Sequence, residues 1–238
     1  MLEELKDEVC QANVELAACG LVTLTWGNVS GISADRQRVV IKPSGVPYQR
    51  LRPADMVVVD LQGNVLEGSS RPSSDTPTHV LLYQHFGTIG GITHTHSPRA
   101  TMFAQARREI PCLGTTHADH FFGAVPVTRA LTAAEVAAAY EANTGRVILE
   151  RFAELDPRVM PAVLVAGHAP FTWGKNAADS LHNAIALEAV AEMALGTWLL
   201  DPHAPQLEDY VLDKHYQRKH GPHSYYGQSQ EAAKEPSP

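Results

Sequence analysis

Apolar residues recur at three- and four-residue intervals at the start of the chain, at Leu2, Leu5, Val9, Ala12 and Leu16. That spacing puts them on one face of a helix over residues 2–19, with Gly20 placed as its C-cap. The pattern then changes period. Val39-Val40-Ile41 and Met56-Val57-Val58-Val59-Asp60 predict strands, and Leu61-Gln62-Gly63-Asn64 predicts a turn leading back through Val65-Leu66-Glu67 as an antiparallel hairpin. A helix is predicted over 78–86 after Pro77, a strand over 89–95, and a helix over 98–106 opened by Pro98 in its first turn. Further along, the pattern gives a strand near 124–128 and a helix over 133–140, with Thr132 and Glu135 in capping-box positions. A strand over 162–166 follows. Asn176 caps a long helix to about Leu199, and Leu207, Tyr210, Val211 and Lys214 continue into a final helix ending near His220. Helices alternating with strands predict an α/β fold. Residues 229–238 are polar and terminal, and are expected to be disordered.

Composition narrows the class without changing this picture. A chain of 238 residues with 44% hydrophobic and 19% charged residues supports one large domain with a full core, and is short for two. No run of about 18 apolar residues stands out as a membrane span, and the start, Met1-Leu2-Glu3-Glu4-Leu5-Lys6, lacks the basic and apolar pattern of a secretory signal. A cytoplasmic protein with no membrane partner is expected. Cys10, Cys19 and Cys112 are odd in number and show no C-x-x-C spacing, so reduced thiols are expected. The formal charge of -7 argues against a nucleic-acid partner, and Arg107-Arg108 reads as a solvated helix end.

The chemistry concentrates in histidines. In Thr93-His94-Thr95-His96 the two imidazoles stand two apart, so a strand would send both to one face. His168 follows the apolar run Leu164-Val165-Ala166-Gly167 and would reach the end of a neighbouring strand. Three imidazoles with an open fourth position describe a catalytic divalent-metal site; the alternative for a bare H-x-H is a pair of hydrogen-bonded surface histidines. Three small-residue loops precede that pair: Thr25-Trp26-Gly27-Asn28, Lys42-Pro43-Ser44-Gly45 and Pro72-Ser73-Ser74-Asp75. Together their backbone N–H groups, hydroxyls and Lys42 suggest a phosphate pocket, against the alternative of three ordinary turns. Asp75 can orient a metal-bound water or simply cap the next helix. Asp119, in Thr115-Thr116-His117-Ala118-Asp119-His120, is a candidate general acid or base. His117 and His120 read better as supporting or packing residues than as further ligands. His215 and Arg218 share a helix face and read by default as solvated helix residues, while Tyr225-Tyr226 offers a phenolic proton that a terminal segment can carry to a neighbouring subunit.

Taken together, five motifs in fixed order carry a resemblance. They are Thr23-Leu24-Thr25-Trp26-Gly27-Asn28-Val29-Ser30, Ile41-Lys42-Pro43-Ser44-Gly45-Val46, Pro72-Ser73-Ser74-Asp75-Thr76-Pro77-Thr78-His79, Gly114-Thr115-Thr116-His117-Ala118-Asp119 and Asp213-Lys214-His215-Tyr216-Gln217-Arg218-Lys219-His220-Gly221. Across residues 1–228 the chain resembles the L-ribulose-5-phosphate 4-epimerases of the class II aldolase superfamily. The resemblance implies one domain over 1–228, with a central, largely antiparallel sheet in a three-layer α/β/α arrangement. It implies zinc, or another divalent ion such as manganese or cobalt, on His94, His96 and His168, with Asp75 beside the metal. It also implies phosphate contacts from Asn28, Lys42, Ser44, Gly45, Ser73 and Ser74. Asp119 and Tyr226 would form the acid/base pair, supported by Thr115, His215 and the substrate-side Arg218, in a homotetramer whose sites lie between subunits. The implied reaction is C4 epimerisation of L-ribulose 5-phosphate to D-xylulose 5-phosphate by retro-aldol cleavage and re-addition, in pentose (arabinose) catabolism. The alternative is a class II aldolase acting on a related sugar phosphate such as L-fuculose 1-phosphate, in which a glutamate stands where this chain has Asp75. Two departures are visible: Ala166 where some members carry histidine, and the extra residues after Gln228.

Overall fold

The apolar stripe at the N-terminus forms α1 (Leu2–Ala18), which buries Val9, Ala12 and Leu16. A computed structural model describes residues 2–226; the expected tail, 229–238, lies outside the described residues. After α1 come β1 (Asn28–Ile32), β2 (Arg38–Ile41), β3 (Val57–Asp60) and β4 (Val65–Glu67), then α2 (Thr76–His85), β5 (Gly91–His94), α3 (Pro98–Ala106) and the short α4 (Thr115–Ala118). The chain continues through α5 (Ala133–Arg151), β6 (Ala162–Leu164), β7 (Pro170–Gly174), α6 (Ala177–Leu200) and α7 (Asp209–His220).

The seven strands form one sheet in the order β4-β3-β2-β1-β5-β7-β6. Every neighbouring pair is antiparallel. Alternation along the strands explains why both faces are covered. Val39, Ile41, Val57 and Val59 point into a core shared with α2, α3, α5 and much of α6, whereas Val40 and Val58 point into a second core under α1 and the first turns of α6. This is the expected three-layer arrangement. The two cores are joined by α6, which explains its composition. It is long and apolar enough to cross a membrane on length and mean hydropathy, 1.2 over its best window, but in the fold its apolar residues Leu181, Leu187 and Val190 are buried in these cores.

Several sequence expectations need correction. Residues 124–128 do not form a strand: Val125 and Val127 make isolated bridges to Ile110 and Leu164. Pro126, with no N–H to donate, stands between them. The helix expected over 133–140 continues to Arg151, with non-helical backbone at Ala139 (φ -167°, ψ 83°). Its capping box, Thr132 with Glu135, forms as predicted. β5 ends at His94, so strand alternation positions that residue but not His96. Asn13 ties α1 to β1: its amide Nδ2 donates to the Val9 and Val29 carbonyls at 2.8 and 3.0 Å, and its Oδ1 accepts from Val29 N at 2.9 Å. That clamp fixes the strand from which Asn28 enters the site.

Candidate metal and anion site

His94 leaves the end of β5 as a buried side chain, 1% exposed. Its Nδ1 lies 2.9 Å from the Pro170 carbonyl at the start of β7. A carbonyl only accepts, so Nδ1 carries the proton and the Nε2 lone pair is left for a ligand. His96 follows two residues later. The turn between β6 and β7, closed by His168 N donating to Val165 O at 2.9 Å, carries His168. All three ring pairs have centroids 5.0 Å apart, and one donor atom from each lies within 4.8 Å of the others. Burial, reinforced by the neighbouring imidazoles, pushes the pKa of His96 and of His168 down to about 4. Both rings are therefore neutral near pH 7, with lone pairs available. The buried Nδ1 of His168 has no hydrogen-bond partner. A converging set of three imidazoles could hold a divalent metal ion.

Asp75 is outside that three-histidine group but lines the same cavity. It sits at the N-cap position of α2 without making a side-chain capping bond. Its Oδ2 instead accepts from Asn28 Nδ2 at 2.7 Å and Ser73 Oγ at 3.4 Å. Burial raises its pKa, but His94, His79 and the Asn28 amide outweigh that, and the net shift is downward. The carboxylate is held ionised beside the imidazoles. His79 buries its ring behind them, with Nδ1 2.7 Å from Ser30 Oγ and Nε2 unpartnered.

The three small-residue loops meet here. Ser44 N donates to Arg71 O at 2.9 Å and Ser73 N to Lys42 O at 3.0 Å, joining two of them. Tyr48 Oη donates to the Trp26 and Gly27 carbonyls at 2.8 and 2.7 Å, securing the third. Gly27 has φ 80°, and a Cβ there would stand 2.7 Å from the His94 carbonyl oxygen, so only glycine lets this loop lie against β5. Lys42 is 2% exposed. Its ammonium reaches the Pro43 carbonyl at 3.3 Å and lies 4.7 Å from the centre of the Tyr48 ring, and burial alone pushes its pKa down to about 8. A buried cation with so little compensation calls for an anion. Asn28, Lys42, Ser44, Gly45, Ser73, Ser74, Asp75 and the three histidines all line one cavity of about 530 Å³.

A second cluster lies elsewhere on the chain. Asp119, at the end of α4, accepts from Arg218 Nε and Nη2 at 3.0 and 2.7 Å and lies 3.1 Å from His215 Nδ1. Burial raises the Asp119 pKa, but Arg218 and His215 outweigh it, leaving the carboxyl below its ordinary value. The Arg218 guanidinium sits 4.4 Å from the centre of the Tyr226 ring, whose backbone N donates to Arg218 O at 3.1 Å. Thr115 begins α4 and its carbonyl accepts from Asp119 N at 3.0 Å. None of Thr115, Asp119, His215, Arg218 and Tyr226 lines the histidine cavity of its own chain. His117 packs its edge on Phe121 and places Nε2 2.8 Å from Gly123 O, while His120 lies 3.3 Å from Lys219 Nζ. Neither joins the metal trio. Tyr140 and Glu141 also line the cavity; a single tyrosine after the run Ala137-Ala138-Ala139 carries no sequence signal of its own.

The sequence pattern of the family described as Class II Aldolase and Adducin N-terminal domain matches residues 7–195. The chain belongs to that family. It is 53% identical over 227 residues to the L-ribulose-5-phosphate 4-epimerase UlaF of Salmonella paratyphi C (strain RKS4594), covering 95% of this chain and 100% of that protein. The UlaF protein of Salmonella typhi matches with the same identity and coverage. Among solved structures, an L-fuculose 1-phosphate aldolase superposes with a TM-score of 0.76 at 25% identity, over 90% of this chain and 95% of the other. The sheet and helices described above are therefore those of the class II aldolase fold.

Proposed function

We propose that the chain is a zinc-dependent L-ribulose-5-phosphate 4-epimerase, which interconverts L-ribulose 5-phosphate and D-xylulose 5-phosphate. The observation that carries this reading is one cavity holding both the three-imidazole donor set and the buried Lys42, in a chain whose 53%-identical relatives bear that name. Lys42, Ser44, Gly45, Ser73 and Ser74 bind the phosphate, with Asn28 beside them. The carbon to be inverted, C4, is not adjacent to the C2 carbonyl, so removing a proton beside the carbonyl cannot invert it. The C3–C4 bond must break and re-form. A divalent ion held by His94, His96 and His168, with Asp75 beside it, would supply Lewis acidity for the charge that develops on the ketose oxygens.

The remaining chemistry is proton transfer. Asp119, kept ionised by Arg218 and His215, accepts the C4 hydroxyl proton as the bond breaks and glycolaldehyde phosphate forms. The phosphate contacts retain that fragment while its aldehyde rotates to present the other face. Tyr226 gives a proton to the C4 oxygen when the bond re-forms, and the reverse direction exchanges the two roles. Because Asp119 and Tyr226 stand away from the cavity of their own chain, the reading includes a homotetramer in which a neighbouring subunit lends them. Exposed apolar groups on α6, Met193, Leu199 and Leu200, supply surface for such contacts. Three free thiols, Cys10, Cys19 and Cys112, support a cytoplasmic setting.

The test is an assay of the zinc-loaded protein with L-ribulose 5-phosphate. Formation of D-xylulose 5-phosphate without free aldehyde is the expected result. Accumulation of glycolaldehyde phosphate would replace the reading with an aldolase, and no turnover of either kind would reject both.

A further inference from the structure

The break in α5 is a built feature. At Ala139 the backbone leaves helical geometry (φ -167°, ψ 83°), a kink between two helical segments. Side chains bond to carbonyls on both sides of it. Thr78 Oγ1 donates to Glu141 O at 2.6 Å, Asn143 Nδ2 donates to Glu135 O at 2.6 Å, and Thr144 Oγ1 donates to Tyr140 O at 3.0 Å. Asn143 and Thr144 are themselves buried. The helix beyond the break is pressed onto α2 at Gly145, where a Cβ would come within 2.8 Å of Leu81 Cδ2 and 3.5 Å of Thr78 Cα. The break is therefore fixed to the helix whose N-cap position is Asp75.

This arrangement sets the next residue into the cavity wall. Tyr140 lines the cavity, and its ring lies 5.9 Å from that of His168, at a 47° tilt. That is the histidine side of the cavity, whereas Lys42, Ser44 and Gly45 form the anion side. We propose that Tyr140 is a further substrate-contacting residue, whose phenol hydrogen-bonds a hydroxyl on the part of the sugar facing the three histidines, away from the phosphate. A continuous helix would carry residue 140 in a different direction; the break and its side-chain caps are what aim it at His168.

The inference rests on the metal-site reading above, so its test separates the two. Glycolohydroxamate, which has a chelating group and a hydroxyl but no phosphate, probes the histidine side, and inorganic phosphate probes the anion side. Zinc content and the dissociation constant of each probe are measured for the wild type, Tyr140→Phe and Tyr140→Ala, all zinc-loaded. Tyr140→Phe keeps the ring and should weaken glycolohydroxamate about 3- to 10-fold, the ordinary worth of one hydrogen bond. Zinc content and phosphate affinity should stay unchanged, and Tyr140→Ala should weaken glycolohydroxamate at least as much. Glycolohydroxamate binding equally well to wild type and Tyr140→Phe overturns the proposal while leaving the metal reading intact. Loss of zinc or of phosphate affinity in Tyr140→Phe overturns it in favour of a structural role. A wild-type protein that holds zinc but does not bind glycolohydroxamate overturns the metal-site reading and this proposal together.

Discussion

Arg218 grips Asp119 with two parallel hydrogen bonds, Nε to Oδ1 at 3.0 Å and Nη2 to Oδ2 at 2.7 Å, between residues ninety-nine positions apart in the chain. With His215 on the same oxygen, the pair fixes both the direction of the carboxylate and its charge. Bidentate geometry of this kind is specific to arginine, since a lysine offers only a point charge.

The first prediction uses that charge. The Asp119 pKa lies below its ordinary value because Arg218 and His215 outweigh the effect of burial. Arg218→Met removes the larger of the two favourable influences, so the Asp119 pKa must rise. The acid limb of the kcat profile should therefore move to higher pH, while Arg218→Lys should move it less. The sign for stability follows the same logic. A depressed carboxylate stabilises the fold above its unfolded pKa, and that contribution is lost as pH falls through the folded value. An acid limb at the same pH in all three proteins would remove Asp119 from the proton step.

Lys42 gives a prediction in the opposite pH direction. Its pKa is pushed down to about 8 by burial, so the free protein loses this cation as pH rises through that value. KM for the phosphorylated substrate should climb above pH 8, with kcat nearly level. Lys42→Met should raise KM throughout and flatten that climb, because the contact is made in ground and transition states alike. If the variant retains the wild-type rise in KM, another group titrates there.

Asn13 allows a test of the scaffold alone. Its amide is fully buried and satisfies the Val9 and Val29 carbonyls and the Val29 N–H. Asn13→Ala strands these backbone groups and should cost about 2–4 kcal/mol, measured by urea unfolding at one fixed protein concentration. A loss below about 0.5 kcal/mol would mean that water takes over the amide's role.

Most of the helices, the hairpin and the three histidines were legible because periodicity and spacing are local. β1 was not, and its residues show why. Both faces of Asn28-Val29-Ser30-Gly31-Ile32 are buried, yet the strand reads as polar and small. Ser30 is satisfied by His79 Nδ1 and Tyr83 Oη at 2.7 and 2.9 Å, and Gly31 makes room for Leu5 and Val9, whose methyl groups would stand 2.9 Å from a Cβ. Those requirements come from distant elements, so no window around residue 30 contains them. β7 was hidden by its initial Pro170, and the pairing of Asp119 with Arg218 by the length of chain between them. The three loops, in contrast, were individually ordinary turns and became informative only as a set around a lysine.

The shared-site arrangement yields the most demanding prediction. His96→Asn removes one of three converging donors, so zinc content and activity should fall together. Tyr226→Phe keeps the ring over Arg218 but removes the phenolic proton, and loss of a positioned acid or base typically costs about 10²–10⁴-fold in rate. Each variant alone is then nearly inactive. If every site joins the histidines of one subunit to Tyr226 of its neighbour, mixed oligomers of the two variants contain some sites with both parts intact. Activity should return after subunit exchange, in proportion to those interfaces, while zinc content stays at the average of the two parents. If Tyr226 instead serves the histidines of its own chain, each site carries one lesion in every mixture. No activity would return, even with exchange verified by mass-labelled subunits. That outcome would abolish the shared site and leave the metal donors as assigned, because the zinc content of His96→Asn tests them separately.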